Sequence, residues 1–191
     1  MPYEFKATRR VEFSETDMEG IMHFSNFFRF METAECGFIR SLGYSIALGR
    51  NGLSVGLPRV HAECQYHSPL RFEDEVLIHL LVEKKGRRSL TYQFRFYHLN
   101  DEKQRLVARG RLTAVCVKRS KDGTMKAVEL PAVLADKIHA APAELLAETA
   151  TLSGRPERSR SQLGKAATTK PKQPRRAAKL RLLGPATTKK N

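Results

Sequence analysis

The chain has no tryptophan, only three cysteines and too few acids to balance its bases, and each scarcity narrows what it can be. Cys36, Cys64 and Cys116 are odd in number, widely spaced and without a Cys-x-x-Cys pair. That argues against both a disulfide framework and a zinc knuckle. Free thiols suit a reducing compartment, and a cytoplasmic location is the expectation. No stretch approaches the roughly 20 apolar residues of a membrane span. The start, Met-Pro-Tyr-Glu-Phe-Lys, lacks the charged and then apolar pattern of an export signal. A soluble, unexported protein is expected.

The shortage of acids is uneven. Asp and Glu number 20 against 34 Lys and Arg, a formal net charge of +14. From Ala143 onward there are 12 bases and 3 acids, so +9 of the excess lies there and +5 in residues 1–142. The same segment has no aromatic residue, repeats Ala-Thr-Thr-Lys at 167–170 and 186–189, and is rich in Pro, Arg and Lys. Such a composition cannot bury enough apolar surface to offset the entropy of folding. The expected organisation is one domain over 1–142 and a basic low-complexity tail over 143–191. Residues 143–152 could continue as a short helix, with disorder beyond about Ser153. The tail suits non-specific polyanion binding as an accessory property, since it lacks aromatic interleaving and any nucleic-acid-binding motif.

Within the domain, the apolar pattern switches period. Phe27, Met31, Ala34, Phe38, Ile39 and Leu42 form a stripe at helical spacing, with the N-cap residues Ser25 and Asn26 before it and Gly43 after it. A first strand is expected near residues 6–13, and Gly43–Gly56 should be irregular or partly helical. Further on, three sets alternate as strands do: Val76, Ile78, Leu80 and Val82; Leu90, Tyr92, Phe94 and Phe96; Leu106, Ala108, Gly110, Leu112, Ala114 and Cys116. Short turns at Lys85-Gly86 and Asn100-Asp101 imply antiparallel hairpins, and one long apolar helix has only that sheet to cover it.

Asp17 stands in the turn just before this helix. Asp favours turns, so a purely conformational role is one reading. The other reading is chemical. The first amides of a helix have no internal partner and carry roughly half a positive charge, which can hold an anion or a developing oxyanion. An acid beside such a terminus is the minimum equipment for hydrolysing an activated acyl group. Glu15 and Glu19 flank Asp17 and would disfavour its ionisation if they faced the same cavity.

Four pieces in this order carry a resemblance. They are the turn Thr16-Asp17-x-x-Gly20-Ile21, the helix start Asn26-Phe27-Phe28-Arg29-Phe30-Met31-Glu32, the strand and turn Tyr66-His67-Ser68-Pro69-Leu70-Arg71-Phe72-Glu73-Asp74, and Gly86-Arg87-Arg88-Ser89. Across about residues 3 to 140 the chain resembles the hotdog-fold acyl-CoA thioesterases of the 4-hydroxybenzoyl-CoA thioesterase family. The resemblance implies an α+β hotdog fold, a curved antiparallel sheet around a central long helix, in a homodimer or homotetramer. It also implies an acyl-CoA substrate, no metal or other cofactor, and Asp17 as catalytic carboxylate, either nucleophile or general base.

The resemblance further places the carbonyl-polarising amide at the helix start, where His23 and Phe24 lie. The His23 imidazole is either an ordinary solvent-facing group or a helper that orients water or protonates the leaving thiolate. The acyl group is expected beside Phe27, Phe28 and Met31 at the dimer boundary, with Phe24 also binding substrate. Lys84, Lys85, Arg87 and Arg88 are either a solvated basic cluster or, as the resemblance implies for the 86–89 region, a phosphate site, with Lys85, Arg87 and Arg88 meeting the nucleotide. An acyl or acyl-carrier-protein binding module without catalysis is the alternative.

Two further patterns are set aside. Gly52-Leu-Ser54-Val-Gly56 matches a nucleophile elbow, but that motif needs a larger sheet and later partners, and Pro58 follows almost at once. His61, Glu63 and His67 share one strand face and could meet a metal, while Cys64 points the other way. Ordinary exposed side chains are the simpler expectation.

Overall fold

A computed structural model describes residues 2–46, 55–100 and 104–147. All of them belong to a unit spanning Met1–Ser153. Ser54, Asp101 and the tail beyond Ala147 lie outside the described residues, as do the expectations placed on them.

Five strands form one antiparallel sheet: β1 (Glu4–Arg10), β2 (Arg59–Tyr66), β3 (Glu75–Lys85), β4 (Ser89–His98) and β5 (Arg105–Val115). Their order in the sheet is β1-β3-β4-β5-β2, so β1 and β2 are the edges. The three alternating sets form β3, β4 and β5 and present their apolar faces to the core. Two short strands, β6 (Val117–Arg119) and β7 (Met125–Ala127), pair beside it.

Helix α1 (Asn26–Ser41) packs against this sheet and buries Phe27, Phe30, Met31, Ala34, Phe38 and Ile39. Each large apolar side chain so buried contributes about 1.5–3 kcal/mol. Phe38 meets Tyr92 at 6.2 Å and Phe27 meets Phe96 at 5.2 Å between ring centroids, both edge to face. Gly43 ends the helix at φ 90, a left-handed turn that lets the Tyr44 amide reach back to the Ile39 carbonyl. A sheet wrapped around one long helix is the hotdog arrangement.

The chain departs from expectation at two places that matter. The first strand stops at Arg10, because Val11 exchanges backbone bonds with Glu73 and Asp74, and the Glu12 amide donates to the Glu15 carboxylate to start a 3-10 turn over Phe13–Glu15. The boundary expected at 142 is also passed, by the short helix that residues 143–152 could form. Helix α3 (Ala143–Ala147) follows the short α2 (Ala132–Ala135), and Arg95, 2% exposed on β4, donates to the carbonyls of Leu145 and Leu146.

Candidate active site

Thr16 to Met22 make a tight reversal with a bridge between those two residues. The Asp17 amide donates to the Ile21 carbonyl at 2.9 Å, and the Asp17 carbonyl accepts the Gly20 amide at 3.0 Å. Gly20 sits at φ 71, where a residue with a Cβ would be strained. Asp17 Oδ1 accepts the Glu19 amide at 2.9 Å and the Ile21 amide at 3.4 Å. The turn reading of Asp17 is therefore correct as far as one carboxylate oxygen goes. The residue also lines a cavity of about 500 Å³ with Ile21, Met22, Phe24, Phe27 and the run Tyr66 to Leu70.

Neither flanking acid lines that cavity. Glu15 turns to Arg9, at 3.1 Å. Glu19 is exposed.

The chain then enters α1 through residues 23–26, where the polar backbone is almost fully engaged. The His23 amide donates to the Glu15 carbonyl at 2.9 Å, the Asn26 amide to the His23 carbonyl at 2.9 Å, and the Phe28 amide to the Ser25 carbonyl at 3.2 Å. The Asn26 side-chain amide also donates to the Glu15 carbonyl, at 2.7 Å. The Ser25 amide donates to His23 Nδ1 at 3.4 Å, and the same nitrogen lies 2.8 Å from Ser25 Oγ. The Phe24 carbonyl accepts the Tyr66 hydroxyl at 3.2 Å. Among the described residues the Phe24 N–H has no acceptor. Ser25 is thus the N-cap by position, but its side chain makes no cap bond to the helix.

This geometry separates the predicted site residues. Asp17, Phe24 and Phe27 share the cavity. The His23 imidazole is engaged by Ser25 and stacks on Phe24 with centroids 4.4 Å apart; it is not a wall of the cavity. The amide of His23, one of two named for the carbonyl, is committed to Glu15. Met31 lies one turn deeper, fully buried and packed against Gly110, where a Cβ would come within 2.5 Å of its sulfur.

Lys85, Arg87 and Arg88 lie at the β3–β4 turn, at the end of β4 away from Phe96. Lys85 Nζ donates to the Ala135 carbonyl at 2.8 Å and Arg87 pairs with Glu129. Both guanidiniums of the turn are exposed, and Arg88 has no side-chain partner among the described residues.

Three polar residues of the cavity, Tyr66, His67 and Ser68, had no catalytic or substrate-binding role expected from the sequence. Tyr66 packs edge to face on Phe27 at 5.1 Å, and burial and its contact with Cys64 push its hydroxyl up to about 12. His67 is held by its amide on the Val107 carbonyl at 2.8 Å, and partial burial with the nearby Arg109 lowers its imidazole below the usual range. The Ser68 hydroxyl accepts Arg105. A signal was present, since these residues open the run 66–74. What linear sequence hid was that the end of β2 folds against the start of α1. His61 pairs with Glu63 at 3.3 Å instead of joining His67, and the described residues bring no three potential ligands together for a metal.

Asp17 and Phe24 thus line one cavity beside the start of the helix, in a sheet wrapped around that helix as in the hotdog fold. The comparisons agree. The family description "Thioesterase-like superfamily" matches residues 11–138, and the chain belongs to that family. A putative esterase of Aquifex aeolicus is 40% identical over 95 residues, which are 49% of this chain and 71% of that one. A 1,4-dihydroxy-2-naphthoyl-CoA hydrolase of Prochlorococcus marinus is 35% identical over 95 residues, 46% of this chain and 63% of the relative. The solved 4-hydroxybenzoyl-CoA thioesterase of a Pseudomonas species superposes with a TM-score of 0.63 over 70% of this chain and 98% of its own, at 19% identity, and shows the same fold. No helix among the described residues is long and apolar enough to cross a membrane.

Proposed function

We propose that the protein hydrolyses an acyl-CoA, water and thioester giving a free carboxylic acid and coenzyme A. The observation that carries this reading is that Asp17 and Phe24, whose N–H has no acceptor among the described residues, line one cavity. The carbonyl oxygen sits at that amide, where a preorganised donor is worth a few kcal/mol of barrier. Asp17 either attacks the carbonyl carbon or takes a proton from the attacking water. The acyl group lies against Phe27, Met22 and Leu70. A volume near 500 Å³ falls within the usual range for small-molecule sites.

The working unit in this reading is a homodimer or dimer of dimers. Edge strand β2 supports it, being exposed along most of its length with Val60 63% accessible, since an open edge is a template for a second strand. The nucleotide is assigned to the Lys85, Arg87 and Arg88 turn. Phe96 and Ser89 are seven positions apart on β4, about 23 Å at 3.3 Å per residue. The turn therefore serves the far end of an extended substrate or the site of the neighbouring subunit.

The test is a panel of acyl-CoA thioesters, straight-chain and aromatic, with acyl-carrier thioesters beside them. Hydrolysis of at least one acyl-CoA, lost in Asp17→Asn, is expected. A panel without turnover would leave a binding module as the reading.

A further inference from the structure

We infer that Tyr66 is a positioning residue for the carbonyl-polarising amide, acting through the Phe24 carbonyl; this rests on the function proposed above. Tyr66 comes from the last position of β2, opposite Ala108 in the sheet, while Phe24 precedes α1. The two belong to different elements, and one hydrogen bond of 3.2 Å joins them. The Phe24 carbonyl has no other partner among the described residues. Its helical counterpart four residues on, the Phe28 amide, is turned to Ser25 instead.

The Phe24 N–H shares its peptide plane with the His23 carbonyl and the Phe24 carbonyl lies in the next plane, so the two meet at the Phe24 Cα. A residue held in one plane only can turn about its N–Cα and Cα–C bonds and shift its N–H. Glu15 and Asn26 hold the His23 side of this turn. The Tyr66 hydroxyl holds the other. Its ring is fixed independently by the edge-to-face contact with Phe27 at 5.1 Å, which in turn packs on Phe96 at 5.2 Å. With its hydroxyl pushed up to about 12, the phenol is protonated near neutral pH and serves there as a donor.

Tyr66→Phe removes the hydroxyl and keeps the ring on Phe27, so the cavity wall survives. Full loss of an oxyanion donor costs a hundredfold or more in kcat, and a donor left in place but loosely aimed should cost about tenfold. KM should stay within about twofold, because the acyl wall is unchanged.

The discriminating measurement is vibrational. Bound 4-hydroxybenzoyl-CoA, isotope-labelled at the carbonyl, is held unreacted by Asp17→Asn, and its carbonyl stretch should fall in frequency against the free thioester. In Asp17→Asn with Tyr66→Phe, that fall should shrink to half or less. An undiminished fall, or a kcat for Tyr66→Phe within about twofold of wild type, overturns the role of Tyr66 and leaves the thioesterase reading standing. If bound substrate in Asp17→Asn alone shows no fall, the Phe24 amide is not the polarising group and the role of Tyr66 falls with it, while turnover across the acyl-CoA panel decides the thioesterase reading.

Discussion

Asp17 Oδ1 accepts the Glu19 amide at 2.9 Å, so one oxygen of the proposed catalytic carboxylate also closes the turn that presents it. Conformation and chemistry can be separated there because asparagine supplies the same acceptor without the charge. Asp17→Asn should lose turnover by a hundredfold or more while its thermal midpoint hardly moves. Asp17→Ala should lose both, with about 0.5–2 kcal/mol of stability gone with the local bond, by analogy with a lost helix cap. Equal midpoints for the two variants would show that the bond does nothing for the turn. A kcat for Asp17→Asn within about tenfold of wild type would remove Asp17 from the chemistry.

The basic turn gives a second expectation. Arg87→Ala with Arg88→Ala should raise KM for an acyl-CoA and leave kcat nearly constant, with a far smaller effect on an acyl thioester lacking the nucleotide. The Arg87 to Glu129 pair is exposed on both sides, and exposed pairs hold little stability. Melting curves of the double variant should therefore overlay those of wild type. Matching losses for both substrates would make the cluster structural.

Helix α1 contains Gly37 because Phe5 of β1 lies against it: a Cβ there would stand 2.5 Å from Phe5 Cε1. Gly37→Ala gains about 1 kcal/mol of helix propensity but must displace the ring. Alone it should destabilise; in a Phe5→Ala background it should stabilise. A double-mutant cycle reads the sign change directly. The same free-energy change in both backgrounds would contradict the contact.

Glu35 is fully buried on the core side of α1, 2.5 Å from Arg59. Burial lifts its carboxyl above the ordinary range, and Arg59 only partly opposes this. With the folded-state value above the unfolded one, stability is greatest where both states are protonated. It falls as pH rises through about 4.5 toward the folded value. Thermal midpoints of wild type minus Glu35→Gln, taken from pH 4 to 7, should decline as pH rises. A difference that grows over that interval would mean Arg59 outweighs burial.

Much of this was legible in the chain because it is local. Ser25 and Asn26 before an apolar stripe, Gly43 after it, and alternation in β3, β4 and β5 are short-range signals, and each element formed where its signal stood. Asp17 was legible through its turn and its place before the helix. The site's finer assignment was not. Which amide stays unengaged depends on the Glu15 carbonyl folding back across residues 23–26, and Tyr66 and His67 join the cavity through the register of β2 on β5. Met31 carried the right spacing for the cavity, but a helix turn of depth and the missing side chain at Gly110 put it in the core.

The Arg95 clasp sets a threshold for proteolytic trimming. A desolvated cation on the sheet relies on the dipolar end of α3 for company, so exopeptidase digestion that halts at Ala147 leaves the clasp intact. Digestion that removes Leu146 and Leu145 strands the guanidinium beside His79 and Arg109, its neighbours on β3 and β5, at the cost of an unmet buried charge. Nibbling from the C-terminus should consequently be silent for many residues and then abruptly ruinous. Helix α3 anchors a buried cation of the sheet, however dispensable its composition makes it look.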